Sequence, residues 1–352
     1  MTVGLLQQAL ASYLFAYVVV VTIVLGAMLQ VMIAHLSGAR WFDGLRPSAM
    51  RIVRTMPVVA VCGLPILIGA YALYPWADLA RIAPGMRDVV ARKHAWLNVP
   101  FFIVRGLIYL GVWCVFAELL RRRDESDSAG LRRISAAGVI AVGVTLTFAA
   151  FDWVMSLEPG WYSTIYGVYL FTGGILAALA LIALVNYRGV PDDHPPAELA
   201  LPDSSIDESE RRLASLGKLL FTFAIFWAYI AFSQYLIVWI GNLPSEVSWY
   251  VSRTKTGWAV LGVLAAVGQF VVPFVALIGY HMKRRPRVLV MTGACILVAH
   301  VIDMFWLVMP SLFPAGLRVG VMDVLALLLL TALTMRAIAR PNGMIRETGR
   351  HA

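Results

Sequence analysis

The stretch Phe151–Gly167, FDWVMSLEPGWYSTIYG, places Asp152 inside an apolar segment a few residues short of a charged, proline-bearing turn. A carboxylate in hydrocarbon is costly, so such a residue faces a bundle interior or a wet cavity and often marks an ion or proton path. Three more ionisable residues share this setting: Arg105 in VPFFIVRG, and His300 and Asp303 in HVIDMFW. His300 and Asp303 are i and i+3, so they share a helix face. Gln234, in IAFSQYLIVW, adds a polar amide flanked by Ser233 and Tyr235. Histidine titrates near neutral pH and burial raises carboxylates toward that range, so this set has the chemistry to load and release protons.

The elements that must position these residues are membrane helices. Of 352 residues, 60% are hydrophobic and 14% charged, with a mean hydropathy of +0.78, whereas soluble domains are about one quarter charged. Nine apolar runs are long enough to span a bilayer: Leu10–Ala34, Met56–Tyr74, Val99–Leu120, Ile134–Leu157, Thr164–Tyr187, Leu219–Ile240, Gly257–Tyr280, Val288–Met309 and Val319–Met335. No charge precedes the first run, it is too long for a signal-peptide core, and no small-residue cleavage pattern follows, so a retained helix is expected.

Sorting the loops alternately puts twenty-one of the 29 Lys and Arg on one side and seven on the other, with Arg105 inside a helix. The positive-inside rule then predicts an outside amino terminus and a cytoplasmic carboxyl terminus. The net charge of +9 reads as topology. Anionic lipid is its secondary partner, and no nucleic-acid role follows from it. On this topology Arg105, Asp152, His300 and Asp303 fall at one depth in the outer leaflet, with Gln234 at a similar depth. Asp323 and Glu118 are shallow and read as interfacial. Trp153, Trp161, Tyr162, Tyr166, Trp239, Trp249, Tyr250 and Trp306 gather near outer helix ends, where most are expected to form the interfacial aromatic belt.

Metal chemistry has no ligand set. Cys62, Cys114 and Cys295 sit singly in separate spans and read as small core residues. His35 and His281 lie at helix ends, His94 and His194 in loops, His351 in the tail, and only His300 within a span. Histidines facing one another across helices, as a b-haem needs, are absent. The chain is expected to carry no metal or haem of its own, leaving the metal centres of any redox chemistry to other subunits.

The whole chain, 1–352, reads as one polytopic domain. Residues 1–157 are expected to form a first four-helix bundle, 158–187 the fifth helix, 188–212 a flexible cytoplasmic linker, 213–310 the rest of a second bundle, and 311–352 the last helix and a cytoplasmic tail. The loop from Pro75 to Asn98, with GMRDVVARKHAW, suits an interfacial helix or a landing place for an extracytoplasmic subunit. No short-period repeat and no pair of broken helices at matching positions is evident.

Two readings of the buried set compete. In one, Arg105 neutralises Asp152 or Asp303 and His300 makes a helix-to-helix hydrogen bond, all as structure. In the other, the carboxylates and His300 exchange protons with a bound quinol or along a hydrated path. A secondary transporter or ion channel would use the same residues.

Four long runs, FDWVMSLEPGWYSTIYGVYLFTGG, LNVPFFIVRGLIY, GKLLFTFAIFWAYIAFSQYLIVWIGNLP and HVIDMFWLVMP, together resemble the NrfD-like family of polytopic membrane subunits. Within that family the resemblance is to the quinone-binding subunits of bacterial alternative complex III, and it covers nearly the whole chain. It implies an all-α fold of two four-helix bundles with flanking helices, here helices one to four and five to eight. It implies a subunit of a respiratory quinol:electron-acceptor oxidoreductase, not catalytic alone. Its partners would be a haem c protein, an iron–sulfur protein and a sibling NrfD-like subunit that is the stronger candidate for the main quinol site. The family's buried polar positions match Arg105, Asp152, Gln234, His300 and Asp303, implying a proton path and a quinone as ligand. Family members usually have ten helices, and this chain begins at what resembles the second: either the first is absent or the start codon is misassigned.

Overall fold

The computed structural model describes residues 4–78, 80, 82, 84–123, 127–190, 208–254, 257–314 and 316–339. Among them nine helices are long and apolar enough to cross a membrane, and no strand occurs. The protein is an all-α, multi-pass membrane protein. Its spans are span 1 (Leu5–Ser37), span 2 (Arg46–Ile68), span 3 (Val99–Arg122), span 4 (Ser128–Leu157), span 5 (Tyr166–Tyr187), span 6 (Ser209–Gly241), span 7 (Trp258–Leu277), span 8 (Pro286–Ser311) and span 9 (Val321–Ala339).

Every expected apolar run lies within or largely overlaps one of these spans, and the differences are at their ends. Span 2 is two helices, Arg46–Val53 and Met56–Ile68, jointed at Arg54 and Thr55. Pro57, in the first turn of the second piece, lacks the N–H that a continuous helix would need and its ring crowds the preceding turn. The helix of span 6 begins at Glu208, so the last five residues of the expected 188–212 linker are helical; their Glu and Arg are good helix formers. Residues 191–207 of that linker and 340–352 of the expected tail lie outside the described residues. A helix does occupy the loop where an interfacial one is expected, at Pro84–Arg92. A second short helix, Pro244–Thr254, joins spans 6 and 7.

Packing follows two closed rings. Spans 1, 2, 3 and 4 contact one another in order and close with span 4 on span 1; spans 5, 6, 7 and 8 do the same and close with span 8 on span 5. The bundles meet where span 1 packs on spans 5 and 8, and span 9 flanks span 1. Span 1 is therefore the hub: 94% of its apolar window is buried, against 11% for span 9, which leaves span 9 facing lipid. Ser12 Oγ donates to Asp323 Oδ1 at 2.5 Å, and His35 Nδ1 lies 2.9 Å from Ser135 Oγ. These bonds tie the start of span 1 to the start of span 9, and its end to the start of span 4, as alternating spans require. We call the side holding the start of span 1 the amino-terminal face.

The inter-bundle seam depends on two glycines. A side chain at Gly26 would collide with the Gly174 carbonyl, and one at Gly174 would stand 2.6 Å from the Thr22 carbonyl. Backbones this close require residues without Cβ, the usual device of membrane helix pairs. Gly26→Ala is expected to cost about 2–3 kcal/mol by forcing spans 1 and 5 apart, read as a lowered unfolding midpoint in detergent.

Candidate functional site

The structure divides the sequence-predicted residues into three separate clusters. Asp152 and Arg105 belong to the first bundle, His300 and Asp303 to the second, and Gln234 to a third contact near the amino-terminal face. The expectation of one joint site is thereby corrected. Equal depth in a bilayer does not bring side chains together when the helices carrying them lie in different rings.

In the first bundle, Asp152 sits in the last turn of the helix Ser128–Trp153. Arg105 grips it with two bonds, Nε to Oδ2 at 2.8 Å and one terminal nitrogen to Oδ1 at 2.9 Å. Tyr109 adds an O–H bond to Oδ2 at 2.8 Å and Trp96 an indole N–H bond to Oδ1 at 2.9 Å. Arg105 also donates to the Trp96 carbonyl at 3.0 Å. Its guanidinium lies 4.1 Å from the Trp96 ring and 4.2 Å from the Phe101 ring. Asp152 thus accepts four hydrogen bonds, two of them from the one guanidinium that pairs with it. Nearby Tyr74, outside the spans, donates to the Trp153 carbonyl at 2.9 Å. Burial, and next the Asp152 charge, hold its phenol well above the ordinary tyrosine range.

Asp303 is held differently. Tyr169 donates to its Oδ1 at 2.6 Å and Gln269 donates Nε2–H to its Oδ2 at 2.8 Å. Both donors are neutral, the carboxyl is fully buried, and among the described residues no cation lies within ion-pair distance. Gln269 reaches it because span 7 loosens into a π turn at Val267–Val271, ahead of Pro273. Such turns are rare and frequent at functional sites. Neither the turn nor Gln269 was a sequence candidate; an amide in an otherwise apolar run, GQFVVPF, was the available signal.

His300, one turn before Asp303, contacts span 1: its Nε2 lies 2.9 Å from Thr22 Oγ1. The Thr22 hydroxyl donates its one proton to the Val18 carbonyl at 2.7 Å. With that proton directed to Val18, Nε2 carries the imidazole proton and Nδ1 is a bare acceptor. That Nδ1, the Trp227 indole N–H and Gln269 Oε1 are buried without protein partners. A Cβ on Gly173 would lie 3.5 Å from Trp227 Nε1 and 3.6 Å from His300 Nδ1, so both nitrogens face the side-chain-free surface of Gly173. Trp227 packs beside Tyr169, their ring centroids 5.7 Å apart. It also lines a largely apolar groove of about 520 Å³ with Tyr229, Phe232, Tyr235 and Phe270.

Gln234 accepts from Ser163 Oγ at 3.3 Å and donates to the Tyr250 hydroxyl at 3.2 Å. Burial pushes the Tyr250 phenol up to about 12, so this contact is neutral; it joins span 6 to the span 4–5 connection and to the helix Pro244–Thr254. A cluster missed from sequence lies close by in the chain. Arg253, buried and 3.7 Å from the Trp249 ring centroid, bonds Glu158 Oε1 at 2.7 Å, Ser311 Oγ at 2.9 Å and the Leu307 carbonyl at 3.1 Å. It pins the connections of spans 4–5, 6–7 and 8–9 together.

Several aromatics assigned to an interfacial belt are core residues: Trp153, Trp161, Tyr166 and Trp249 are buried, and Trp161 stacks on Trp249 at 4.6 Å. Asp323, expected to be interfacial, is buried through its bonds to Ser12 and the Gly320 N–H. Glu118 is half-buried and pairs with Arg121 and Arg122. Among the described residues no group of three or more His, Cys, Asp or Glu is placed to hold a metal ion. No protein-family model and no curated protein matches the chain.

Proposed function

We infer that this chain is a membrane subunit of a respiratory quinol:electron-acceptor oxidoreductase, of the ActF type in bacterial alternative complex III, and that its second bundle carries a proton path. The observation that carries the reading is Asp303: a fully buried carboxyl held by the neutral donors Tyr169 and Gln269, with no cation within ion-pair distance among the described residues. A carboxyl with no paired cation is freer to exchange its proton than one clamped by arginine, and an intramembrane carboxyl so placed is by default a candidate for a proton route. The bare Nδ1 of His300, the Trp227 N–H and Gln269 Oε1 are the atoms through which water would link His300 to Asp303. Asp152, paired with Arg105 by two hydrogen bonds, organises the first bundle.

The long sequence runs that resemble the NrfD-like family supply the respiratory context. Electrons would be carried by haem c and iron–sulfur partner subunits, with a sibling NrfD-like subunit beside this one in the bacterial inner membrane, amino terminus outside. A quinone would reach the second bundle through the groove lined by Trp227, whose indole separates it from Asp303.

The test is affinity purification of the tagged chain from native membranes in mild detergent, followed by an optical spectrum, mass spectrometry and a quinol oxidation assay. Recovery of haem c and a large iron–sulfur protein with quinol oxidation supports the reading. A colourless chain recovered alone would sink it and favour a transporter or channel.

A further inference from the structure

On the face opposite the amino terminus, spans 1 and 4 enclose a recess. Span 1 ends at Gly38, whose φ of 63° is the left-handed conformation that glycine adopts without strain. The chain turns through Arg40–Phe42 and re-enters as span 2 at Arg46. Together with the first turns of span 4 these segments surround a cavity of about 310 Å³. Its floor is apolar, from Ala34, Phe42 and Leu131, all buried. Among the described residues Arg40, Arg46 and Arg132 line it, together with the carboxylate-bearing Asp43.

A further feature points to an oxygen ligand. His35 lines the cavity, and its Nε2 is buried without a partner, while Nδ1 lies 2.9 Å from Ser135 Oγ. In the tautomer in which Ser135 donates to Nδ1, Nε2 carries the proton and is free to donate it to an oxygen ligand. The helix end at this wall is capped by Asp127, which accepts from the Gly130 N–H, so the arginines and His35 supply the positive character.

We propose that this recess binds the phosphate group of an anionic membrane lipid. The exposed guanidiniums of Arg40 and Arg132 and an imidazole N–H match phosphate oxygens. The apolar floor and the position at the ends of two spans fit a phosphodiester whose glycerol and acyl chains run down into the hydrocarbon; basic pockets between helices at this depth take anionic head groups. The bound lipid would lock the span 1–span 2 turn to the start of span 4. This site is independent of the proton path.

The test uses the purified full-length chain in mild detergent, titrated separately with phosphatidylglycerol, phosphatidylcholine and inorganic phosphate. It reads the unfolding midpoint and, by native mass spectrometry, the number of retained lipids. One phosphatidylglycerol should be retained and should raise the midpoint, with little effect of phosphatidylcholine. The Arg40→Gln/Arg132→Gln variant changes two exposed side chains that make no hydrogen bond among the described residues, so its lipid-free midpoint should match that of the unaltered chain. Its affinity for phosphatidylglycerol should fall about thirtyfold, at roughly fivefold per arginine. Equal retention of phosphatidylglycerol by the variant, or equal stabilisation by phosphatidylcholine, overturns the proposal. Inorganic phosphate reproducing the full shift would assign the recess to a soluble anion and overturn the lipid assignment.

Discussion

Asp303→Asn is expected to reduce quinol oxidation with coupled proton release by about a hundredfold or more in the assembled complex, while the subunit still folds and assembles. The contrast rests on Gln269. Asparagine keeps the shape of aspartate and still accepts from Tyr169 through Oδ1, but its new N–H₂ would meet the Gln269 N–H₂. Gln269 resolves that clash by turning its amide over, because its Oε1 is buried without a partner and gains one by accepting from the asparagine. The hydrogen-bond count is preserved, so the structural cost is within about 1 kcal/mol. What is lost is the ability to take up a proton.

On the proposed proton path the same amide flip would serve the cycle: ionised Asp303 would receive the Gln269 N–H, as it does here, and protonated Asp303 would donate its O–H to Oε1. Gln269→Leu removes both halves of that exchange and should slow turnover while sparing assembly, whereas Asp303→Glu should retain part of the activity. Full turnover by Asp303→Asn in an assembled complex would remove this carboxyl from any proton route.

How far the sequence revealed this follows from what each signal measures. Hydropathy measures transfer to hydrocarbon, and it located all nine spans, because a membrane helix satisfies its own backbone and needs only length and apolarity. It also singled out Asp152, Arg105, His300 and Asp303, since a charge among apolar residues stands out regardless of partners. Partners themselves depend on which helices are neighbours. Asp303 and Arg105 share a depth, yet their spans occupy different rings, and no one-dimensional pattern encodes that. Gln269 escaped notice because a lone neutral amide costs less in hydrocarbon than a charge. Arg253 was assigned to a loop, where arginine is ordinary; its burial comes from Trp249 folding over it and from carbonyl and hydroxyl groups of span 8. The aromatic belt was misjudged because tryptophan prefers the interface when lipid-facing, and Trp153 and Trp161 face protein instead.

Arg105→Gln and Asp152→Asn, taken singly, are each expected to destabilise the subunit by about 3–5 kcal/mol, because each leaves its partner's charge buried and unpaired. The Arg105→Met/Asp152→Leu pair should recover part of that loss, since no charge then remains in the bundle. Recovery is incomplete: the Tyr109 hydroxyl and the Trp96 indole N–H, which now bond Asp152, would be orphaned at about 1–3 kcal/mol each. Unfolding free energies in detergent of the unaltered chain, of Arg105→Met and Asp152→Leu taken singly, and of the pair close a double-mutant cycle and give the coupling energy. Activity per assembled complex separates this pair from Asp303. If Asp152 supplies only a fixed charge, the double variant should turn over normally in whatever fraction assembles, its defect lying in yield. A double variant that assembles fully and loses turnover would make Asp152 a proton carrier despite its arginine, and the path would then have to run through both bundles.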